Sequence, residues 1–366
     1  MKLALQREDL LKPLTQIIGV VERRQTLPVL GNVLIQSGPE GLRLTATDLE
    51  VELVAESPIE GLERGETTLP ARKLHEICRA LPENSALRIE IDGDRATVRC
   101  GRSRFTLSTL PAADFPRLED FQEATAIELP ARQLRTLIER THFAMAHQDV
   151  RYYLNGLLLE LRPDRLVAVA TDGHRLALAE IPMETGIADV QQVIIPRKGV
   201  QELLRLLESE DTPLRLQLAS NHIRISSQGL QFTSKLIDGR FPDYRRVIPQ
   251  ENDKTLVADR ESLRQSLGRT SILSNEKYRG IRLSLTPGSL KILAHNPEQE
   301  EAEEEIGVEF EGGKLDIGFN VTYLLDALNA LEGEKVRIDL SDPNSSCLIR
   351  DASGDSGEYV VMPMRL

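Results

Sequence analysis

Four consecutive residues, Asp172, Gly173, His174 and Arg175, have side chains that could do acid–base chemistry. In hydrolases a histidine acts as the base and an aspartate orients its ring, as His174 and Asp172 could do here. Such a pair needs a nucleophile, and the chain has no serine within a Gly-x-Ser-x-Gly turn. The alternative is a tight turn after a strand, with Gly173 supplying a backbone angle that other residues avoid. The pattern favours the turn.

The histidines and cysteines are spaced unsuitably for a metal site. His142 and His147 have no further ligands around them at metal-site spacing, and Cys78, Cys100 and Cys347 form no Cys-x-x-Cys pair. We therefore expect no metal and no disulfide, and we expect the thiols to be buried or half-buried.

Two adjacent tyrosines, Tyr152 and Tyr153, lie in a polar stretch of the chain. Paired aromatic residues are usually strand core, but successive side chains of a strand point to opposite faces, so one of the two must face outward. An exposed tyrosine can stack on a nucleic acid base or contact a phosphate.

The charge of the chain is acidic overall, but the basic residues are grouped. The formal net charge is −12 and the pI is about 5.2, which by itself argues against a nucleic acid partner. That argument assumes evenly spread charge. The acidic residues include the run from Glu298 to Glu305, so one face can be basic while the molecule is acidic. The basic groups are Arg23 and Arg24; Arg72, Lys73 and Arg79; Arg132, Arg135 and Arg140; Arg197, Lys198 and Arg205; and Arg260, Arg264 and Arg269.

The elements that must position these residues are repeated three times, in copies of about 125 residues, which is the size of whole domains. Residues 42–50 recur as 166–175 and, more divergent, as 290–298. A second marker starts at Phe105 and returns at Phe232 and Tyr359. The repeats predict three domains, at residues 1–122, 123–250 and 251–366.

Each repeat has the pattern of an α+β domain with two helices on one side of antiparallel strands. A first amphipathic helix is indicated by apolar residues at helical spacing, such as Leu10, Leu14 and Ile17. A second helix is predicted over 70–81, 196–207 and 319–331, and the strands between are short and bounded by turn residues. Three such domains in a row, at least two of them with arginines on a helix face, would line a concave basic surface. Closing that surface as a symmetric oligomer would give a ring.

The composition indicates a globular protein of several domains. The chain has 366 residues, of which 40% are hydrophobic, so each domain can bury a core. No apolar run of about 18 residues is present, and the N-terminus lacks the apolar stretch of a signal peptide. We therefore expect a cytoplasmic protein that does not span a membrane.

Several longer motifs, in order and at matching spacing, point to one family. They lie at residues 26–32, 108–116, 147–156, 170–176, 241–247 and 359–366. Through them the chain closely resembles, over essentially its whole length, the bacterial β sliding clamps, the processivity factors of DNA polymerase III. The resemblance implies a homodimer closed into a ring of six similar domains around DNA, with helices lining the hole. It also implies no catalytic residue and no cofactor.

The resemblance further implies a pocket for short peptides of partner proteins. Methionine and aliphatic side chains suit varied apolar anchors, while His174, Arg175 and Asn320 can fix a peptide's polar atoms. For Met362 and Met364 the alternative is ordinary core packing. The implied pocket residues are Leu154, Thr171, Gly173, His174, Arg175, Leu176, Pro242, Arg246, Val247, Asn320, Tyr323, Ser346, Val360, Met362, Pro363, Met364, Arg365 and Leu366.

The resemblance also implies two other surfaces. Residues that contact DNA would be Arg24, Gln148, Tyr152 and Tyr153, with looser phosphate contacts from Arg72, Lys73, Arg197 and Lys198, whose alternative is a solvated helix face. The run of glutamates, otherwise a solvated loop, would lie at the subunit interface. The implied interface residues are Phe105, Leu107, Ile272, Leu273, Lys73, Arg95, Arg102, Glu298, Glu300, Glu301, Glu303 and Glu304.

The function implied by the resemblance is that of a DNA sliding clamp. Its partners would be double-stranded DNA held without sequence preference, a second copy of the chain, and a clamp loader that opens the ring with its own ATP. Others would be the polymerase III α subunit, further polymerases, a mismatch-repair protein, ligase and initiation regulators, all through short peptides. The alternative is a peptide-binding scaffold or adaptor that never encircles DNA.

Overall fold

The structure is a computed structural model that describes residues 1–21, 27–118, 121–122, 125–207, 211–354 and 357–365. By its backbone contacts the chain divides into two compact units. The first holds residues 1–132 and 201–236, and the second holds residues 133–200 and 237–366.

The first repeat begins with a strand and a helix. Its elements are β1 (Lys2–Gln6), α1 (Arg7–Ile17), β2 (Asn32–Gly38), β3 (Gly41–Thr47), β4 (Val51–Ser57), β5 (Gly65–Pro70), α2 (Ala71–Ala80), β6 (Ala86–Asp92), β7 (Arg95–Cys100) and β8 (Ser103–Ser108).

The second repeat follows the same order. Its elements are β9 (Thr125–Pro130), α3 (Ala131–Glu139), β10 (Gly156–Leu161), β11 (Arg165–Thr171), β12 (Arg175–Pro182), β13 (Gln191–Pro196), α4 (Arg197–Leu206), β14 (Pro213–Leu218), β15 (His222–Ser227) and β16 (Leu230–Lys235).

The third repeat adds one very short strand. Its elements are β17 (Lys254–Asp259), α5 (Arg260–Thr270), β18 (Gly280–Thr286), β19 (Ser289–His295), β20 (Glu301–Gly307), β21 (Glu309–Phe310), β22 (Leu315–Asn320), α6 (Val321–Ala330), β23 (Lys335–Leu340), β24 (Cys347–Asp351) and β25 (Glu358–Val361). The α+β class and the predicted second helix of each repeat are confirmed.

The sheets run across the repeats. An eight-stranded sheet has the order β5-β2-β3-β4-β16-β15-β14-β9, and a nine-stranded sheet has the order β13-β10-β11-β12-β25-β24-β23-β17-β21. In the first, Leu53 of β4 lies opposite Phe232 of β16, and in the second, Ala177 of β12 lies opposite Tyr359 of β25. The last strand of the second repeat and that of the third therefore each pair with the fourth strand of the repeat before it.

Two four-stranded sheets complete the fold, with the orders β1-β6-β7-β8 and β20-β19-β18-β22. Within them β8 and β20 are edge strands. The interpretation of the glutamate run as a loop is wrong for residues 301–305, because these residues form most of β20. Glu301, Glu303 and Glu305 are exposed, whereas Glu304 is half-buried and bonds Arg269.

Burial explains why these segments form helices and connectors. Leu10, Leu14 and Ile17 of α1 are all fully buried, as the periodicity predicts. The backbone N–H of Gln6 donates to the Asp9 carboxylate at 2.9 Å, which closes the start of the helix. The connector residues Phe115 and Phe241 both insert into apolar clusters. In the described ranges none of the helices combines the length and apolarity that crossing a membrane requires.

Candidate functional site

The turn between β11 and β12, residues 171–175, is fixed by its own side chains. The Asp172 carboxylate accepts hydrogen bonds from the backbone N–H groups of His174 at 2.9 Å and Arg175 at 3.1 Å, and Gly173 has a φ of 88°. Asp172 therefore holds the backbone of the turn, and its carboxylate accepts no hydrogen bond from the His174 ring. The tight turn is confirmed, as is the unusual backbone angle at Gly173.

The C-terminal segment lies directly against this turn. Val360 pairs with Leu176 in the β12–β25 ladder, and the N–H of Met362 donates to the carbonyl of His174 at 2.9 Å. The N–H of Met364 donates to the carbonyl of Gly318 at the same distance. Met362 is 41% exposed although it is apolar and fixed at its backbone. The segment thus presents a methionine to solvent beside an exposed histidine.

An apolar floor continues from Leu176 and Val360. These two side chains belong to one buried cluster with Leu348, Phe241 and Tyr244. The connector after Phe241 forms a rim, where Pro242, Arg246 and Val247 are exposed and Arg246 forms an ion pair with Asp243. A buried apolar floor with an exposed methionine and an exposed rim of this kind suits an extended apolar peptide.

The other residues of the predicted pocket differ in burial and in their partners. Leu154 is buried, and the carbonyl of Ser346 accepts from the Asn252 side chain at 3.3 Å. Asn320 caps α6 by accepting from the N–H of Thr322. Pro363 and Met364 are half-buried, and Arg365 is exposed. Leu366 lies outside the described residues.

Arg175 points away from the exposed rim and is largely buried. Its guanidinium donates to Asp172, to Asp326 and to the carbonyl of Phe143, and it lies 4.4 Å from the centre of the Tyr323 ring. Burial raises the pKa of Tyr323, so this hydroxyl stays neutral against the cation. Among the polar residues predicted to fix a peptide, His174 is the exposed one.

The residues predicted to contact DNA lie on the loop at 147–155. Gln148 and Tyr152 are exposed, whereas Tyr153 is half-buried against the cluster that contains Leu176. The Nε and Nη2 of Arg151 donate to the two carboxylate oxygens of Asp149 at 3.0 and 2.8 Å. This hydrogen bonding lowers the pKa of Asp149 to about 2. Arg24 lies outside the described residues.

The basic residues of α2 and α4 differ in how freely they face solvent. Lys73 is exposed, while Arg72 donates to the carbonyl of Val21 and Arg197 donates to the carbonyl of Met145. Lys198 is half-buried. Lys73 is therefore the one of these four side chains that is most open to a phosphate.

The predicted interface residues lie on or near the edge strands β8 and β20 and beside α5, except Lys73, which is on α2. On and near β8, Arg95 and Arg102 are exposed, Phe105 is half-buried and Leu107 is buried. Beside α5, Ile272 is an apolar side chain with 75% of its surface exposed. Leu273 is half-buried, and Glu298, Glu300, Glu301 and Glu303 are exposed.

Four residues around the pocket turn were not expected from the sequence: Phe143, Asp149, Arg151 and Asp326. Arg151 donates to the carbonyl of Asp172 at 3.3 Å as well as to Asp149. Of these four, only Asp326 could have been predicted from helical spacing, because it lies three residues after the predicted pocket residue Tyr323 and so on the same face of α6. The other three lie on irregular backbone, which no periodicity marks.

Within the described residues, no group of three or more histidine, cysteine and acidic side chains could hold a metal. His142 bonds the carbonyl of Ile138, and His147 is exposed. The three cysteines are buried, as expected. Burial raises the pKa of Cys78 and of Cys347 to about 12, which keeps these thiols protonated and unreactive.

The chain is similar over its whole length to proteins of one known family. Models of the DNA polymerase III beta subunit match its N-terminal domain at residues 1–119, its central domain at 128–243 and its C-terminal domain at 245–365. A protein of Pseudomonas putida described as "Beta sliding clamp" is 56% identical over the full length of both chains. The crystal structure of DNA polymerase III subunit beta from Pseudomonas aeruginosa is 55% identical, covers 100% of both chains and has a TM-score of 0.98. Another structure from that organism, of a sliding clamp bound to griselimycin, is also 55% identical over 100% of both chains, with a TM-score of 0.96.

Proposed function

Because the chain belongs to the DNA polymerase III beta subunit family, the bacterial DNA sliding clamps, we propose that two copies close into a ring around duplex DNA. The function is that of a DNA sliding clamp in replication, a processivity subunit without catalysis of its own. The chain would contribute three clamp domains, at residues 1–122, 123–250 and 251–366. The protein would be located in the cytoplasm, where bacterial DNA is replicated.

The observation that carries the ring is the repeated pairing of strands between repeats. The last strand of the second repeat, β16, pairs with β4, and the last strand of the third, β25, pairs with β12. The same position in the third repeat is β20, and the last strand of the first repeat is β8. Both are sheet edges among the described residues. We infer that β20 pairs with β8 of a second copy, which closes a symmetric dimer.

The internal pairings also predict the register of that contact. Leu53, Ala177 and Ala302 are equivalent, because each lies opposite an alanine of the preceding strand in its own sheet. Phe232 and Tyr359 lie opposite the first two, and Phe105 is their counterpart in β8. Phe105 should therefore lie opposite the partner's Ala302. One step along the ladder, Arg104 should lie opposite the partner's Glu303.

The charges of the two edges are complementary. Arg102 and Arg104 are exposed on the β8 side, and Glu301 and Glu303 are exposed on β20. An apolar contact between Phe105, Leu107, Ile272 and Leu273, rimmed by these charges, would give an interface that is stable and can still be opened by a clamp loader.

We propose that the C-terminal pocket binds short peptides of the proteins that the clamp tethers. The apolar floor at Leu176 and Val360, the exposed Met362 and the exposed His174 support this. The partners would be the clamp loader, the polymerase III α subunit, other polymerases, a mismatch-repair protein, ligase and initiation regulators. Griselimycin, which is bound in the structure of a related clamp, is a defined probe.

Contacts with DNA would be loose and independent of sequence, because a ring that slides cannot hold one register. The exposed Gln148, Tyr152 and Lys73 are the described residues best placed for such contacts. Their binding should weaken as salt rises, as expected for contacts to phosphates.

The experiment that tests the ring is loading onto nicked circular DNA by a clamp loader with ATP, followed by cutting of the circle. A clamp held topologically stays on the circle and slides off the linear product. Retention on the linear DNA would instead indicate side-on binding, and a protein that cannot be loaded but binds peptides would be a scaffold.

A further inference from the structure

We propose that Asp326 is a positioning residue for peptide binding, which acts through Arg175 to set the pocket turn and Met362. The inference rests on the proposed peptide-binding function of the pocket and extends it to residues of the helix layer. Asp326 lies on α6 and lines none of the exposed rim.

The first step of the argument is that Arg175 is held from several sides. Its Nη1 donates to the Asp326 carboxylate at 2.5 Å, and its Nη2 donates to the carbonyl of Phe143 at 2.7 Å. The guanidinium also lies over the Tyr323 ring at 4.4 Å and near the Phe143 ring at 5.5 Å. The Arg175 side chain is only 12% exposed, so these contacts are shielded from water.

The second step is that Arg175 holds the turn. Its Nε donates to the Asp172 carboxylate at 3.2 Å, and that carboxylate also accepts from the N–H of His174. The carbonyl of His174 in turn accepts from the N–H of Met362. A continuous chain of polar contacts therefore runs from Asp326 through Arg175 and the turn to the exposed methionine of the pocket.

The third step is that the anchor on α6 is itself fixed. Tyr323 and Asp326 lie three residues apart on one helix face, and Asn320 caps the start of the same helix by a side-chain hydrogen bond to Thr322 at 2.9 Å. A carboxylate held on a capped helix is a well-positioned partner for a guanidinium.

The fourth step is that this arrangement is confined to one of the two internal junctions. At the equivalent positions of the first junction, Val51 replaces Arg175 and Gly199 replaces Tyr323. The first junction keeps its strand ladder without an arginine at that place. The counterpart of Asp326 is Glu202, which pairs with Arg205 of its own helix at 3.0 Å, so of the two internal junctions the second is the one where this carboxylate is linked to the turn.

The test measures binding of a fluorescein-labelled clamp-binding peptide of the polymerase III α subunit, and of griselimycin, to the full-length protein. Asp326→Asn keeps the shape of the side chain and removes its charge. We expect this substitution to weaken the binding of both ligands by about tenfold, as for loss of a hydrogen bond to a charged group. Asp326→Glu should recover part of the affinity. The matched control is Glu332→Gln, which removes an exposed carboxylate that pairs with Arg140 just beyond α6 and should leave both affinities unchanged.

A second readout separates positioning from general destabilisation. The chain has five methionines, so methyl-labelled methionine NMR can follow Met362 directly. In Asp326→Asn without ligand, the Met362 methyl resonance should move and that of Met183 should stay. Adding Asp326→Asn to Arg175→Leu should cause no further loss of affinity, because the arginine through which Asp326 acts is already absent.

The inference is overturned if Asp326→Asn binds both ligands like the parent protein, or if its effect persists in full beside Arg175→Leu. An unmoved Met362 resonance would also contradict it. If the parent protein itself binds neither ligand, the proposed pocket fails, and that outcome is distinct from a failure of Asp326 alone.

Discussion

At the scale of single residues, the environment decides what a side chain does. Asp172 and His174 are types found in active sites, yet the Asp172 carboxylate is used by the backbone of its own turn. The sequence could predict that turn, because glycine at a positive φ has a clear signature. It could not predict where Arg175 points, because its partners Phe143 and Asp326 are far along the chain and carry no pattern that links them.

Glu52 is another residue whose environment opposes its type. It lies on β4 and is 8% exposed, with a weak hydrogen bond from the N–H of Leu118 at 3.5 Å. Burial raises the pKa of Glu52 above its ordinary value of 4.5. The folded protein therefore favours the protonated form more than the unfolded chain does, and the stability that this gives is lost as the pH rises through the raised pKa.

We predict that Glu52→Gln melts at a higher temperature than the parent at about pH 7.5, with a difference that vanishes toward about pH 4. The always-neutral amide avoids the burial of a charge. Thermal melting followed by circular dichroism across this range measures the effect. Glu56→Gln, on the exposed end of the same strand, should change little, because its pairing with Arg43 is at the surface. A lower melting temperature for Glu52→Gln at neutral pH would contradict the prediction.

At the scale of elements, periodicity located the helices well and failed at one edge strand. The second helix predicted over 70–81 occupies Ala71–Ala80, since its apolar side has strong helical spacing. The strand β20 was hidden because Glu304 occupies an inward position of its alternation, where the sequence would need an apolar residue. Arg269 forms an ion pair with Glu304 and lowers the pKa of that carboxyl group. The strand therefore accommodates a charged residue at this position.

The C-terminal segment is the element on which peptide binding should depend most. We predict that deletion of residues 362–366 abolishes binding of a labelled clamp-binding peptide and leaves the fold intact. The strand β25 ends at Val361, so the ladder with β12 survives, while the contacts of Met362 and Met364 are lost. Fluorescence anisotropy measures the binding, and a melting curve near that of the parent is the control. Unchanged affinity would show that the pocket lies elsewhere.

At the scale of the whole molecule, the two edge strands should decide the oligomeric state. We predict that Leu273→Asp produces monomers in sedimentation velocity, with a dimer dissociation constant raised by at least about thirtyfold, as for a central interface residue. The reason is the burial of a carboxylate in an apolar contact. Val190→Asp is the matched control, because Val190 is an exposed apolar residue outside both edges. A dimer that persists in Leu273→Asp would count against the assigned interface.

The inferred register makes a separate prediction about charge. Arg104→Glu alone and Glu303→Arg alone should each weaken the dimer several-fold at low salt, because each places like charges opposite one another. The two changes together should restore much of the affinity. Subunit exchange between differently labelled dimers measures this. Additive weakening in the double variant would show that another register is used.

The sheets that cross from one repeat to the next also have a consequence for synthesis on the ribosome. The strand β4 is complete at Ser57, but its neighbour β16 begins at Leu230. At about 5–20 residues per second, the growing chain carries this open edge for on the order of ten seconds or more. The nascent chain therefore cannot complete the eight-stranded sheet before nearly all of the second repeat has emerged. During that interval the carboxylates of Glu52 and Glu56 lie on the waiting strand, where charge discourages pairing with a strand of another nascent chain.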